Sequence, residues 1–310
     1  MFLKVQKIIL LFLLITTTCI FAQSAKEWNK KGVELFKQGK SKEAAQCFEK
    51  AVELNPASAD LWFNLGNCYY RMNAMTAAID SYSKAVELKP DSDKFLAAKA
   101  CALAHRDVEE AEKCCQKAMK INPKSSYALL ARGLLLSIQK RYEEAIKYLD
   151  KSLAINPESN EAWCQKGTAL FLLGKYEGAI KCYNKALEID SKYAYVWYNK
   201  GMALWELGKQ EEAMKCVDKG AEIEPKFVFL YKMGRNLHEV KRYEEAIKYY
   251  NKALEVERTY SHAWYYKGDA LYKLGKYEAA IKCYDKALEG YPGFEEAKKG
   301  KEEALKALGK

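Results

Sequence analysis

Histidine is scarce in this 310-residue chain, which has only His105, His238 and His262. In a helical register the last two lie roughly 15 Å apart along the axis, too far to share a metal ion. The sequence has no glycine-rich phosphate loop, no His-Glu-x-x-His pair, no Cys-x-x-Cys pair and no serine in a nucleophile-elbow context. We therefore predict that the chain is not an enzyme and has no cofactor, catalytic residue or metal site.

Long apolar runs are missing beyond the first 22 residues. In that segment Lys4 and Lys7 precede an apolar run over residues 8–14, and the small Ala22 precedes Gln23. This order predicts a secretory signal peptide over residues 1–22, so the protein is expected to be periplasmic, secreted or envelope-associated. An uncleaved anchor and a lipid-modified Cys19 stay open. No later run reaches the ~20 residues of a membrane-spanning helix, so we predict no span after cleavage.

A concentrated basic patch is also missing. Lys and Arg number 51 against 41 Asp and Glu, a net charge of +10, and removing Lys4 and Lys7 leaves 49 against 41, or +8. Most lysines recur at the same place in a repeated phrase and are therefore spread along the chain. We predict no nucleic-acid partner.

A repeat of 33 or 34 residues dominates what is present. One alanine recurs at this spacing eight times, and a glycine accompanies seven of the units. The alanines are Ala44, Ala78, Ala111, Ala145, Ala179, Ala213, Ala246 and Ala280, and the glycines are Gly32, Gly66, Gly133, Gly167, Gly201, Gly234 and Gly268. Apolar residues three or four apart, interrupted by Gly-Lys or Lys-Arg pairs, predict two amphipathic helices in each unit.

The unit over residues 59–92 carries the fullest pattern: Trp62, Leu65, Gly66, Tyr69, Ala78, Tyr82, Ala85 and Pro90. This spacing resembles the tetratricopeptide (TPR) repeat. The resemblance implies an all-α fold, an α-solenoid of stacked helix-turn-helix units that forms a right-handed superhelix. A proline closes most units, because it cannot continue the second helix.

The register divides the chain after the predicted leader into eight units and a terminal helix. The third unit is degenerate, since its first helix lacks the tryptophan, glycine and tyrosine, and the terminal helix is polar with one apolar stripe, as a cap requires. The predicted bounds are 25–58, 59–92, 93–125 (degenerate), 126–159, 160–193, 194–226, 227–260 and 261–294 for the TPR units and 295–310 for the capping helix.

Ten cysteines raise the possibility of disulfides, but five of them occupy one equivalent position in different units. Equivalent positions in stacked units lie ~10 Å or more apart, beyond the ~7 Å limit of a disulfide. We interpret these five, Cys47, Cys114, Cys182, Cys216 and Cys283, as small buried apolar residues.

The resemblance also implies that the first helix of each unit faces a concave groove that takes a peptide. Some members of this family bind the C-terminal tails of chaperones through a clamp of polar and charged side chains. This sequence matches that clamp poorly, because Asn29, Val33 and Phe63 stand where clamp residues are expected. The groove-facing positions predict the following partner-binding residues: Tyr127, Leu130, Leu134, Ile138, Phe171, Leu172, Tyr195, Tyr198, Met202, Trp205, Tyr231, Arg235, Tyr265 and Tyr272. Cys164, Thr168, His238, His262 and Asp269 fall on the same positions.

A row of large apolar and aromatic side chains is typical of a protein-binding surface. We therefore predict a non-enzymatic scaffold or adaptor that binds a partner protein or peptide through apolar or aromatic anchors, mainly across the fourth to sixth units. The alternative is a structural spacer of an envelope assembly that self-associates as a homo-oligomer. The sequence does not identify the partner or the pathway.

Overall fold

The computed structural model describes residues 24–309, and the predicted leader therefore lies outside the described residues. These residues form helices joined by short turns, with no strand among them. The helices are α1 (24–37), α2 (Ser41–Leu54), α3 (Ala59–Arg71), α4 (Met75–Leu88), α5 (Asp93–Leu103), α6 (Val108–Ile121), α7 (Ser126–Ile138), α8 (Tyr142–Ile155), α9 (Asn160–Leu172), α10 (Tyr176–Ile189), α11 (Ala194–Glu206), α12 (Gln210–Ile223), α13 (Phe227–Glu239), α14 (Tyr243–Val256), α15 (Ser261–Lys273), α16 (Tyr277–Gly290) and α17 (Glu295–Ala307).

Consecutive helices pack as hairpins. From α3 to α16, each odd-numbered helix packs on the even-numbered helix that follows it. The even-numbered helices end before the prolines, as at Leu54 before Pro56 and Ile121 before Pro123. The predicted all-α solenoid is confirmed. Within residues 24–309, none of the helices combines the length and the apolar character that a membrane span requires.

A residue with left-handed backbone ends the first helix of seven hairpins. After α9 the N–H of Gly174 donates to Phe171 O and that of Lys175 to Leu170 O, both at 2.9 Å, so the last carbonyls of the helix are satisfied. Glycine adopts this conformation without steric cost, which explains the Gly-Lys pairs. The left-handed residues are Gly39, Asn73, Lys140, Gly174, Gly208, Lys241 and Gly275.

The repeated glycines provide the space in which the hairpin closes. A Cβ placed on Gly66 would lie 2.6 Å from the ring of Tyr82 on α4, and one on Gly167 would lie 2.6 Å from the ring of Tyr183 on α10. Both rings are buried. A large side chain of the second helix therefore packs directly on the backbone of the first, which requires glycine there.

The degenerate third unit packs through alanine. Helix α5 has 11 residues, against 13 in α3 and α7, and buries Ala97, Ala100 and Ala102. Its core continues into α6 and α7 through Cys115 and Leu135. Small residues thus replace the Trp, Gly and Tyr of the other units without loss of the helical hairpin.

The chain separates into two compact units, and each is described by itself: unit 1 extends through Lys192, and unit 2 spans Tyr193–Lys310. In unit 1 the Arg71 guanidinium at the end of α3 pairs with the Asp190 carboxylate after α10 at 2.9 Å. The α1–α2 turn meets the same segment, because a Cβ on Gly39 would lie 3.1 Å from Cβ of Lys192. The early hairpins of unit 1 therefore touch its last one.

Unit 2 contains three hairpins and the terminal helix α17. Helix α17 packs on α15 and α16, burying Ala297 and Ala304. A Cβ on Gly300 would lie 2.7 Å from the ring of Tyr284, so α17 approaches α16 closely. Its other positions are mainly Lys and Glu.

Candidate protein-binding surface

Two helices of unit 2 present the predicted groove residues on adjacent stripes. Residues three, four or seven positions apart share one face of a helix, so Val228, Tyr231 and Arg235 line up on α13. Helices α13 and α15 are in contact, and the two stripes form what we call the α13–α15 surface. It comprises Val228, Tyr231, Arg235 and His238 from α13, and His262, Tyr265, Asp269 and Tyr272 from α15.

Apolar and aromatic groups on this surface are accessible. The Val228 side chain is 66% exposed although it is a branched aliphatic residue within a helix. Tyr231 and Tyr265 are half-buried. Burial raises the pKa of both phenols, an effect that Arg235 opposes at Tyr231 and Asp269 reinforces at Tyr265. Their hydroxyls therefore stay protonated at neutral pH and can both donate and accept hydrogen bonds.

Polar contacts of surface residues join α13 to α15. The Arg235 guanidinium lies 3.9 Å from the centre of the Tyr266 ring, and His238 Nε2 lies 2.9 Å from Asp269 Oδ2. His238 Nδ1 and the Tyr250 hydroxyl are buried without a hydrogen-bond partner. Because buried polar groups are usually paired, this junction retains hydrogen-bonding capacity beside the apolar anchors.

Tyr198 was predicted as an accessible anchor, and that prediction is wrong. Its side chain is fully buried, its hydroxyl donates to Glu224 O at 2.7 Å, and the hydroxyl oxygen accepts from Lys226 N at 3.1 Å. The physical reason is Gly220, which replaces the usual alanine of α12: a Cβ there would lie 3.0 Å from the Tyr198 ring. The ring fills that space and ties α11 to the segment before α13.

Two further predicted anchors are buried, and the rest are partly or fully accessible. Met202 and Leu134 are 4% and 6% exposed, so they belong to the core, Leu134 together with α5 and α6. Tyr195 is half-buried against Phe229, with ring centroids 5.7 Å apart, and Trp205 is half-buried. Leu130, Ile138, Phe171 and Tyr272 are half-buried, whereas Tyr127 and Leu172 are 42% and 50% exposed.

Two other predicted groove positions of unit 1, Cys164 and Thr168, lie on α9. Cys164 is buried, and the Thr168 hydroxyl donates to Cys164 O at 3.0 Å. The carboxylate of Glu161 on α9 is close enough to Tyr70 on α3 to raise its pKa, after burial as the larger cause. Glu161 of α9 and Tyr70 of α3 therefore lie near each other within unit 1. The most exposed apolar residue at a groove position, Val228 at 66%, belongs to unit 2.

Sequence reasoning missed several residues of the candidate site. Val228 occupies the second position of its unit, which the register assigns to the groove, and could have been found by applying the register to every residue type. Tyr266 adjoins a predicted position but is recognised only by its contacts with Arg235 and with His238. Tyr260 and Tyr291 lie in the loops before α15 and α17, where the repeat register assigns no groove role.

The cysteines behave as apolar residues. The nine within residues 24–309 are free thiols, and all are buried except Cys101, which is half-buried. Burial raises the pKa of Cys68 and Cys115 to about 12, so these thiols are not nucleophilic thiolates at neutral pH. The interpretation of the repeated cysteines as buried small residues is confirmed. Within residues 24–309, no three side chains of His, Cys, Asp or Glu come together in a group that could hold a metal ion.

Comparison with known families identifies the repeat. Tetratricopeptide-repeat models match residues 29–93 and 231–293, 167–208, and 194–227. A model of subunit 3 of the anaphase-promoting complex, or cyclosome, matches residues 104–186. The chain therefore contains tetratricopeptide repeats, as the sequence pattern predicts. Their number of eight and their bounds stay predictions.

About a third of this chain is similar in sequence to known proteins. The protein STIP1 homolog of Dictyostelium discoideum is 33% identical over 103 residues, 33% of this chain and 18% of that protein. The Hsp70-Hsp90 organizing protein of Triticum aestivum is 31% identical over 106 residues, 34% of this chain and 18% of that protein. Each match thus spans less than a fifth of the relative's length.

A solved structure shares the fold over a longer stretch. The crystal structure of the APC/C hetero-tetramer Cut9-Hcn1 contains a chain that aligns with a TM-score of 0.64 at 17% identity. The alignment covers 84% of this chain and 52% of that chain. At this identity the similarity shows a common fold alone.

Proposed function

On the premise that the chain is built of tetratricopeptide repeats, we propose that it is a non-enzymatic interaction scaffold that binds a segment of a partner protein on the α13–α15 surface. The observation that carries this proposal is the exposure of Val228, 66%, in line with Tyr231 and Arg235 on a helix whose opposite side is buried. A contiguous set of exposed apolar and aromatic side chains is typical of an interaction site, whereas a single exposed apolar residue is not.

The chemistry of the surface indicates what the partner segment contributes. Val228 and Tyr265 offer apolar contact, and the hydroxyls of Tyr231 and Tyr265 offer hydrogen bonds. Tyrosine and arginine are the residue types that most often dominate binding energy at interfaces. A segment with an apolar or aromatic anchor flanked by hydrogen-bonding groups fits this arrangement. The relatives named as organising proteins of Hsp70 and Hsp90 support an interaction role in general, and we carry over no partner from them.

We also propose that the scaffold acts outside the cytosol, in the periplasm, the envelope or the medium. The support is the order of charges, apolar run and small residue in the first 22 residues. N-terminal mass analysis of the natural protein tests this: we expect a chain that begins at Gln23. A chain that keeps Met1 and stays in the cytosol would contradict it.

Selection from a random peptide library displayed on phage tests the binding function. The purified chain is the bait, and the matched variants are Val228→Glu on the α13–α15 surface and Val108→Glu at the start of α6, where the valine is 40% exposed. Each variant replaces an exposed valine by a negatively charged residue. We expect the wild type and Val108→Glu to select related peptides and Val228→Glu to select none of them.

Two results would contradict this proposal. Equal selection by all three chains would place binding elsewhere. Failure of all three to select peptides, together with a stable oligomer by light scattering at low micromolar concentration, would favour the self-associating spacer.

A further inference from the structure

A pocket of aromatic rings lies at the edge of the α13–α15 surface. It forms where the α14–α15 loop passes the start of α13 and the loop that follows α16. Its volume is about 450 Å³. The lining residues are Phe227, Glu257, Thr259, Tyr260, Ser261, His262 and Tyr291.

The rings stand at angles to one another. Phe227 and Tyr260 meet at 68° with centroids 4.7 Å apart, and Tyr231 and Tyr260 meet at 76° with centroids 5.3 Å apart. His262 and Tyr291 both pack on Phe294, at 4.8 Å and 5.6 Å. Tyr260 and Tyr291 are 37% and 50% exposed, so their rings are partly open to a ligand. The faces of such rings carry the negative end of a quadrupole.

One carboxylate supplies the formal charge of the pocket. Among its lining residues Glu257 is the only Asp, Glu, Lys or Arg, and its Oε1 accepts a hydrogen bond from the Thr259 hydroxyl at 2.8 Å. The two neighbouring cationic side chains, Lys226 and Arg258, are not among the lining residues. Lys226 pairs with Glu224 at 3.2 Å, and Arg258 lines a different pocket with Trp264 and Lys267.

We infer that this pocket binds a cationic side chain, lysine or arginine, of the partner segment. Aromatic faces and a fixed carboxylate both attract a cation, and neither attracts an anion. The pocket adjoins Val228 through Phe227, so a segment anchored on Val228 extends its next residues toward the carboxylate. The inference rests on the proposed function, and it adds a charge requirement to the partner segment.

Titration with small probes tests the pocket without any partner. The purified full chain, labelled in its tyrosine rings, is titrated with N-acetyl-arginine amide, N-acetyl-lysine amide and the neutral N-acetyl-norleucine amide, and NMR follows the rings of Tyr260 and Tyr291. The variants Tyr260→Phe and Tyr291→Phe assign the signals and keep the rings. We expect the arginine and lysine probes to shift both signals with a saturable curve and the norleucine probe to leave them in place.

The carboxylate has a matched control two residues earlier, at Glu255 near the end of α14. Glu257→Gln should weaken binding of the arginine probe about 5-fold or more, whereas Glu255→Gln, which removes an equal charge on the side of the other pocket, should leave it unchanged. Equal shifts with the norleucine probe, or no effect of Glu257→Gln, would overturn the inference. Shifts by tetramethylammonium but not by the arginine or lysine probes would also overturn it, in favour of a small ammonium ligand.

Peptide selection separates this inference from the proposed function. We expect Glu257→Gln to select peptides that keep the apolar anchor but lose the enrichment in lysine and arginine seen with the wild type. If wild-type peptides lack that enrichment, the inference fails while the proposed function stands. If no chain selects peptides while the cationic probes still bind in the titration, the proposed function fails, and with it the assignment of the cation to a partner segment.

Discussion

Arg71 and Asp190 lie 119 positions apart in the sequence, and their side chains form an ion pair at 2.9 Å. Both side chains are less than one-fifth exposed. The guanidinium also lies 4.9 Å from the centre of the Phe36 ring. This contact joins the second and fifth hairpins of unit 1.

Arg71→Ala should therefore lower the stability of unit 1 by about 1–3 kcal/mol, because the carboxylate of Asp190 stays largely shielded from water without its partner. Urea unfolding followed by circular dichroism measures the loss. Arg141→Ala is the control, since its pair with Glu144 is 48% exposed on both sides, and it should cost about 0.5 kcal/mol or less. Equal losses in the free energy of unfolding for the two variants would show that the long-range pair stabilises the chain no more than an exposed pair does.

Gly66→Ala should destabilise the second hairpin by about 1–3 kcal/mol, because the new methyl group would lie 2.6 Å from the Tyr82 ring. In an open helix the same change is favourable by up to about 1 kcal/mol. Gly178→Ala in α10 provides that comparison, since its Cβ would be at an ordinary 3.5 Å from Leu170. Thermal unfolding of both variants tests the expectation of opposite signs. A stabilised Gly66→Ala chain would contradict the packing described for the hairpins.

The repeat made most of the fold predictable. The repeated alanines and glycines, such as Ala78 and Gly66, identify where the two helices of a hairpin cross, and the Gly-Lys pairs identify the turns. Both patterns are predictable because they depend on local steric requirements that recur from unit to unit. The contact of Arg71 with Asp190 was not predictable in this way. It depends on how successive hairpins stack, and no local pattern relates residues that lie 119 positions apart.

The candidate site was predictable only in part, for a similar reason. The register assigns a face to each residue but not its exposure, so it treats Tyr198 and Tyr231 alike. Their difference comes from Gly220, a single departure from the repeat that opens space for the Tyr198 ring. Loop residues such as Tyr260 and Tyr291 gain their position from packing against the neighbouring hairpin, which the register does not describe.

Alkaline pH should weaken the junction around Tyr198. Burial raises the pKa of this phenol to about 12 from its ordinary value of about 10, so the unfolded chain releases the proton at lower pH than the folded chain. The contribution of Tyr198 to the free energy of unfolding is therefore present below pH 10 and is lost as the pH rises to about 12.

The variant Tyr198→Phe isolates this effect. Below pH 10 it should be less stable than the wild type by about 1–3 kcal/mol, because the two hydrogen bonds of the hydroxyl are lost. Between pH 10 and 12 the difference should shrink, since only the wild type has this proton to release. Urea midpoints at half-unit pH steps measure it. A difference that stays constant over this interval would mean that Tyr198 does not titrate with folding.

Photo-crosslinking from Val228 tests the central claim most directly. A photoreactive amino acid replaces Val228 in the full chain in its native cells, and in a matched chain it replaces Val108, which is 40% exposed. We predict a covalent adduct with a different protein from position 228 and none from position 108, identified by mass spectrometry. An adduct with a second copy of the chain, or identical products from both positions, would contradict a partner-binding α13–α15 surface.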